Sequence, residues 1–281
     1  MGKLRFGPAG KPVDYKGPME GVPRFLRDIG LDAFEYEAVR GVRISRDKAL
    51  KLREEAERND VLMSMHAPYY VNLASPDVDT WRKSIKRIYE SMLAAEWIGA
   101  YVVVIHPGYY KGTSSREEAL NRIIDGFREV IDLLPGWVKK PSLSPETMGK
   151  TSQVGDVEEV VYICREVGRC KPTIDWAHLY ARYEGKYVES VDDVVNVIEY
   201  IEKELGKEAI SPLHTHFSRI EYGRGGERMH HTLEEREYGP EWEVVCMAYR
   251  DTGIDAVIIS ESPVLEKDAI KMRNTCYTPK T

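Results

Sequence analysis

No stretch of the chain approaches the roughly 20 consecutive apolar residues that a membrane span requires. The opening segment MGKLRFGPAG also lacks the apolar core of a secretory signal. These two absences point to a cytoplasmic protein with no membrane partner. Cysteine is scarce: there are four (Cys164, Cys170, Cys246, Cys276), no C-x-x-C pair, and Cys164 and Cys246 fall in helix-like segments. That argues against a thiolate zinc site or a disulfide framework and predicts reduced thiols. Neither G-x-G-x-x-G nor a Walker sequence follows the first apolar run, which weakens a nucleotide-binding open sheet. Positive charge is short as well. A net charge of −6 argues against a protein that coats nucleic acid by bulk attraction. A local basic rim on an acidic body stays compatible with it, and bound divalent cations would offset several carboxylates. Few asparagines and glutamines beside 31% charged residues is a balance compatible with a thermophile.

What the 281 residues do contain is an alternation of short apolar runs with amphipathic stretches, at the spacing of a βα unit. The runs are KLRFG, AFEYE, VLMSMH, YVVVIHPG, SLSPET, PTIDWAH, ISPLHTHFS and AVIISESP. Helix patterns lie at 18–29, 45–58, 77–98, 115–134, 156–167, 190–205, 241–252 and 264–273, with Ser45, Asp77, Ser115 and Ser190 as N-caps. Eight such units predict an α/β fold, a (β/α)8 TIM barrel forming one domain over residues 1–281, with a doubly wound open sheet as the alternative. The longest apparent loop, 218–235, follows the seventh run, where a long loop is usually functional.

All seven histidines lie at the end of a predicted strand or just after one. His66 closes the third run and His106 the fourth, His178 follows the sixth, His214 and His216 belong to the seventh, and His230 and His231 lie in its loop. Glu146, Asp175, Glu227 and Glu261 hold equivalent places. In a barrel these positions converge on one face. Imidazole with carboxylate suits Zn2+, Mn2+ or Fe2+ better than the all-oxygen set of Mg2+ or Ca2+. The number of candidates exceeds what one ion can use and implies two or three metals bridged by a carboxylate. His231 reads as a solvent-facing neighbour of His230.

The segments MHAPYYVNLAS, VVVIHPG, PETMGK, IDWAHLYA, HTHFSRIEYGRGGERMHH and IISESP resemble, in order, the metal-binding segments of the endonuclease IV family of apurinic/apyrimidinic endonucleases, within the xylose isomerase-like barrel superfamily. The resemblance covers strands three to eight and points to an archaeal-type branch. It implies that His66, His106 and Glu146 hold one zinc, that Glu146 bridges to a second held by Asp175, a strand-seven histidine and Glu261, and that His178, Glu227 and His230 hold a third. It makes Glu146 and Glu261 the catalytic carboxylates. Three departures stand out. The family's Glu-Asn-Thr-Ala-Gly is here the shorter ETMG, and its Asp-Arg-His is ERMH, with glutamate for aspartate and one extra residue. The seventh strand carries two histidines, both pointing inward by period-two alternation, so His214 and His216 stay alternatives.

The implied activity is metal-assisted hydrolysis of the phosphodiester 5′ to an abasic site in double-stranded DNA by a monomer using two or three Zn2+, with Mn2+ at some positions. Tyr69 takes the place of the family's aromatic wedge, and a core tyrosine is the competing reading. Arg40, Arg43 and Arg219 are candidate phosphate contacts, with Arg224 and Arg228 completing a basic rim. Two rivals share the fold: a sugar isomerase or epimerase, which has no use for a third metal set, and a barrel that binds damaged DNA without cutting it.

Overall fold

A computed structural model describes residues 2–277. Its core is a ring of parallel strands: β1 (Leu4–Pro8), β2 (Ala33–Glu37), β3 (Leu62–His66), β4 (Val102–Ile105), β6 (Ser142–Pro145), β8 (Thr173–Asp175), β9 (Leu213–Phe217) and β12 (Ala256–Ser260). Ladders join β2–β3–β4–β6 and β8–β9–β12–β1. Single parallel bridges, Ala9 to Glu35 at one seam and Glu146 to Thr173 at the other, close the ring. The eight apolar runs are these eight strands, and the architecture is the (β/α)8 barrel. Parallel strands covered on both sides read as near-continuous apolar stretches, which is why they stand out.

The surrounding helices are α1 (Val22–Asp28), α2 (Arg46–Arg58), α3 (Val78–Ile98), α4 (Arg116–Leu133), α5 (Val157–Val167), α6 (Trp176–Arg182), α7 (Val191–Leu205), α8 (Trp242–Thr252) and α9 (Glu266–Tyr277). Ser45, Asp77, Ser115 and Ser190 cap as the sequence suggests, each side chain accepting from a backbone N–H three residues on. One face of each long helix packs on the barrel. In α3 that face is Ile85, Ile88, Met92, Ala95 and Ile98, each isoleucine contributing about 2 kcal/mol through burial.

The structure corrects three readings. The 218–235 stretch is a β-hairpin, β10 (Arg219–Gly223) with β11 (Gly226–His231), turned by Arg224 and Gly225. His178 lies inside the short helix α6 rather than in a loop. The cysteines are paired, Cys164 with Cys170 and Cys246 with Cys276. The chain reverses at Gly168 just beyond α5 and brings the first pair to a Cα separation of 4.8 Å, while Cys246 on α8 and Cys276 on α9 lie 5.6 Å apart by Cα. Both distances suit a disulfide. A minor antiparallel pair, β5 (Gly108–Tyr109) with β7 (Gln153–Val154), ties the loop after β4 to the loop after β6.

Inside the barrel, period-two alternation stacks two polar layers. Glu35, Ser64, Ser144, Thr173 and His214 form a lower ring, and Glu37, His66, Glu146, Asp175 and His216, two residues further along the same strands, form an upper one. The upper ring opens at the C-terminal mouth.

Candidate metal centre at the barrel mouth

Glu146 sits at the centre of the upper ring, fully buried, with its two oxygens facing different histidines. Oε2 is 2.9 Å from His106 Nε2 and 3.4 Å from His66 Nε2, and Oε1 is 2.9 Å from His216 Nδ1. Burial alone would raise this carboxyl. The charges of His216 and His106, with their hydrogen bonds, instead hold it well below the usual range. A carboxylate that presents one oxygen to each of two nitrogen groups has the geometry of a bridge between cations.

Three overlapping groups have ligand atoms close enough to share an ion at the mouth. They are His66, His106 and Glu146; Glu146, Asp175, His216 and Glu261; and His178, His230 and Glu261. Glu227 stands beside the last, its Oε2 lying 3.3 Å from His178 Nε2. The histidines are aimed by their other nitrogens. His66 Nδ1 donates to the Ala67 carbonyl at 2.7 Å and His178 Nδ1 to the Thr147 carbonyl at 2.9 Å. Ser218 Oγ already donates to the Arg219 carbonyl, so it accepts from His230 Nδ1 at 2.7 Å. In each ring this leaves Nε2 facing the carboxylates, where it becomes a metal ligand once a cation displaces its proton. Among the described residues, Asp175 Oδ2 and Glu227 Oε2 are buried without a hydrogen-bond partner. A divalent cation would satisfy both, so the residues present fit a metal.

The electrostatics agree. Burial, with Glu261 and Glu146 close by, pushes the Asp175 carboxyl up to about 7. His66 and His178 go the other way: burial would lower them, but the surrounding carboxylates lift each to about 10. The mouth carries excess negative charge that protons satisfy in the absence of cations.

Local structure explains how the third group assembles. Asp175 caps α6 by accepting from the His178 backbone N–H at 2.7 Å, which sets His178 one turn above it. Glu227 and His230 are three apart in an extended strand and would face opposite ways. The β10–β11 register slips between Glu221 and Tyr222, so that Tyr222 pairs with Glu227 and Glu221 with Met229, leaving Arg228 as the extra residue of a bulge. The bulge puts Glu227 and His230 back on one face. The additional residue of ERMH is absorbed there. Gly226 anchors the hairpin to the loop after β6: its φ is +98°, and a Cβ on it would fall 1.9 Å from the Gly149 carbonyl oxygen.

The other expected residues divide. Tyr69 is 42% exposed above His106, which removes the core-tyrosine reading. Arg40 and Arg43 are exposed. Arg219 is not a rim residue. It is 4% exposed and holds Glu241 through Nη1 and Nη2 at 2.9 and 2.6 Å, the Leu233 carbonyl at 3.1 Å, and the Tyr238 carbonyl. Its guanidinium stitches the segment after the hairpin to the barrel. Arg228 is exposed but paired with Glu221 at 3.0 Å. His231 is buried rather than solvent-facing, stacked on Tyr238 and bonded to Glu235 at 2.9 Å. His214 lies a layer below the mouth, and His216 is the strand-seven histidine in the ring. Sequence reading missed Glu37, which ends β2 as the other candidates end their strands. Its two carboxyl oxygens are buried without hydrogen-bond partners among the described residues, and burial pushes it up to about 8.

Residues 23–274 match the family described as xylose isomerase-like TIM barrel. An uncharacterized protein of Methanocaldococcus jannaschii is 38% identical over 274 residues, 98% of this chain and 97% of that protein. A probable endonuclease 4 of Aquifex aeolicus is 27% identical over 219 residues, covering 73% of this chain and 74% of the relative. Among solved structures, endonuclease IV from Thermus thermophilus superposes with a TM-score of 0.69 at 21% identity, covering 98% and 96% of the two chains. A D-tagatose 3-epimerase-like protein superposes at 0.67 with 20% identity over 90% of each chain. At such identities the two superpositions speak for the fold alone.

Proposed function

The chain belongs to the xylose isomerase-like TIM barrel family, and within it we propose that the protein is a metal-dependent apurinic/apyrimidinic endonuclease that cuts the phosphodiester 5′ to an abasic site in double-stranded DNA. Its similarity to proteins described as probable endonuclease 4 supports a nuclease. The observation that carries the reading is the third group. His178, Glu227 and His230 are gathered beside the two sets that share Glu146, at the cost of a bulge and a helix cap, and a one- or two-metal enzyme has no use for them.

His66, His106 and Glu146 would hold one ion; Glu146, Asp175, His216 and Glu261 a second; His178, His230 and Glu227 a third. The mixed imidazole and carboxylate donors suit zinc, and the carboxylate-rich middle set tolerates manganese. When bound, such ions supply a water ionised near neutral pH and charge stabilisation for the phosphate and the departing 3′-oxygen. The chain positions everything else. The Ala67 and Thr147 carbonyls and Ser218 hold the histidine rings, Glu146 fixes the spacing between two cation positions, and Tyr69 stands over His106 where a displaced base would stack.

Glu37 favours a second reading. An unpartnered carboxyl raised to about 8 beside His66 suits proton transfer on a ketose, as in an epimerase. One comparison separates the two: incubation with a duplex carrying one abasic site, with and without chelator pretreatment, beside a panel of ketoses. A chelator-sensitive nick leaving a 3′-hydroxyl is expected. Intact duplex with turnover of a ketose would reverse the order of the readings.

A further inference from the structure

Below the mouth, the lower ring holds a connected set of side chains that no step of the proposed reaction uses. The Tyr101 hydroxyl is 2.7 Å from His214 Nδ1, and His214 Nε2 is 2.9 Å from Glu35 Oε2. Ser64 donates to the same oxygen at 2.7 Å. Glu35, Ser64 and His214 are all at most 1% exposed. Only one assignment of protons satisfies them together. Glu35 Oε2 accepts from Ser64 and from His214 Nε2–H, so neutral His214 offers Nδ1 as the acceptor for Tyr101. The other carboxylate oxygen, Oε1, and His216 Nε2 lie 3.0 Å apart, and neither has a hydrogen-bond partner among the described residues. On the opposite edge of the same ring, His216 Nδ1 is 2.9 Å from Glu146 and 3.3 Å from Glu261.

We propose that Glu35, pinned by Ser64 and by the Tyr101–His214 pair, is a positioning residue that keeps His216 protonated at Nε2 and turns its Nδ1 lone pair toward the cation position among Glu146, Asp175 and Glu261. This rests on the metal reading of the mouth. The three atoms Glu35 Oε1, His214 Nε2 and His216 Nε2 lie close enough to suggest a cation of their own. Glu35 Oε2 and both His214 nitrogens already have partners, however, so only one facing pair remains. Two atoms 3.0 Å apart do not make a coordination sphere, but they are close enough for a proton to be shared between them. A histidine that ligates through one nitrogen and is backed by a buried carboxylate at the other is held in both tautomer and rotation.

Glu35→Gln tests the role because the geometry dictates how the amide sits. Two donors converge on the Oε2 position, so the amide carbonyl occupies it and the NH2 group faces His216 Nε2–H, donor against donor. His216 must then carry its proton on Nδ1, where it cannot ligate. Zinc added back to chelator-stripped protein is titrated against a chromophoric competitor. In the variant the middle position is expected to weaken roughly 10- to 100-fold while the remaining zinc stays bound. Long-range 15N spectra of the zinc-loaded wild type are expected to show His216 protonated at Nε2, a reading that needs no variant to fold. Zinc-loaded wild type with the proton on Nδ1, or a variant with unchanged zinc affinity, overturns the positioning role and leaves the metal reading standing. Wild type that takes up no zinc overturns both.

Discussion

Tyr69 lies flat against His106, ring centroids 5.1 Å apart and planes 5° from parallel, with His66 edge-on to it at 5.0 Å. The tyrosine therefore packs on two candidate ligands while keeping 42% of its surface in solvent. Its exposed face is the part that can meet a nucleotide. Tyr69→Ala is expected to keep its fold and its bound metal, since neither nitrogen of His66 or His106 relies on the phenol. Discrimination between abasic and intact duplex should fall about 5- to 150-fold, the value of one lost stacking contact of about 1 to 3 kcal/mol. Selectivity, bound zinc and melting temperature measured on the one variant decide it. Unchanged selectivity in a folded, metal-loaded variant would show that the exposed face does not touch DNA.

Most of this arrangement was legible in the sequence, for a physical reason. The C-terminal ends of the strands open on the barrel mouth, where polar groups can meet a ligand, and there His66, Glu146, Asp175 and Glu261 interrupt otherwise apolar runs. The same rule reached further than was read from it. E-x-E, S-x-H, S-x-E, T-x-D and H-x-H occur in five runs, and the first residue of each pair marks the lower ring that contains Glu35 and His214. The hairpin was overlooked although GRGG sits between two extended segments, a turn signal in its own right. The fate of Arg219 and the pairing of Cys246 with Cys276 could not be read. Both depend on which distant segments the helices bring together, Glu241 in one case and α8 against α9 in the other.

The burial of Arg219 changes the expected salt dependence of DNA binding. Of five candidate rim arginines, Arg219 is committed to Glu241 and Arg228 to Glu221, leaving Arg40, Arg43 and Arg224 exposed. Each phosphate neutralised contributes about −0.9 to the slope of log K against log salt, so the slope should be near about −3 rather than the about −4.5 that five contacts would give. Fluorescence anisotropy across a salt series measures it. A slope near zero would remove the basic rim altogether. Arg219→Ala should lower thermal stability without moving the slope.

Acid should loosen the loop that carries Glu146. Glu159 sits at the start of α5 and clamps that loop, accepting from the Gly155 and Asp156 backbone at 2.8 and 3.1 Å, from Tyr110 at 2.5 Å and from Arg116 at 2.7 Å. Burial would raise its carboxyl, but these hydrogen bonds outweigh it and the folded value lies below the ordinary 4.5. A depressed carboxyl stabilises the fold above the unfolded value, and the contribution is lost as pH falls through the folded one. Arg116 is mostly exposed, so the backbone and Tyr110 bonds carry most of the effect. Glu159→Gln should cost about 2 kcal/mol at neutral pH. In urea titrations the gap from wild type should close as pH falls below 4.5, whereas a gap that persists at low pH would assign the loss to packing rather than charge.

The hairpin makes the strongest claim about metal number. Gly226 combines a φ of +98° with an approach so close that a Cβ would meet the Gly149 carbonyl at 1.9 Å, and the Glu227 N–H donates to that same carbonyl at 3.3 Å. Gly226→Ala therefore has two penalties: about 1 to 2 kcal/mol for the backbone conformation, and a clash relieved only by lifting the hairpin from the loop after β6. The barrel strands lie elsewhere, so the fold should survive. His66, His106, Asp175, His216 and Glu261 belong to strands or to their immediate ends and should still hold their ions, while Glu227 and His230 move away from His178. The expected result is one fewer zinc per chain by elemental analysis, near-wild-type melting of the metal-free protein, and loss of abasic-site cleavage. A variant with full metal content but no activity would mean that the hairpin serves substrate rather than metal, and that the bulge at Arg228 aligns Glu227 and His230 for the DNA instead.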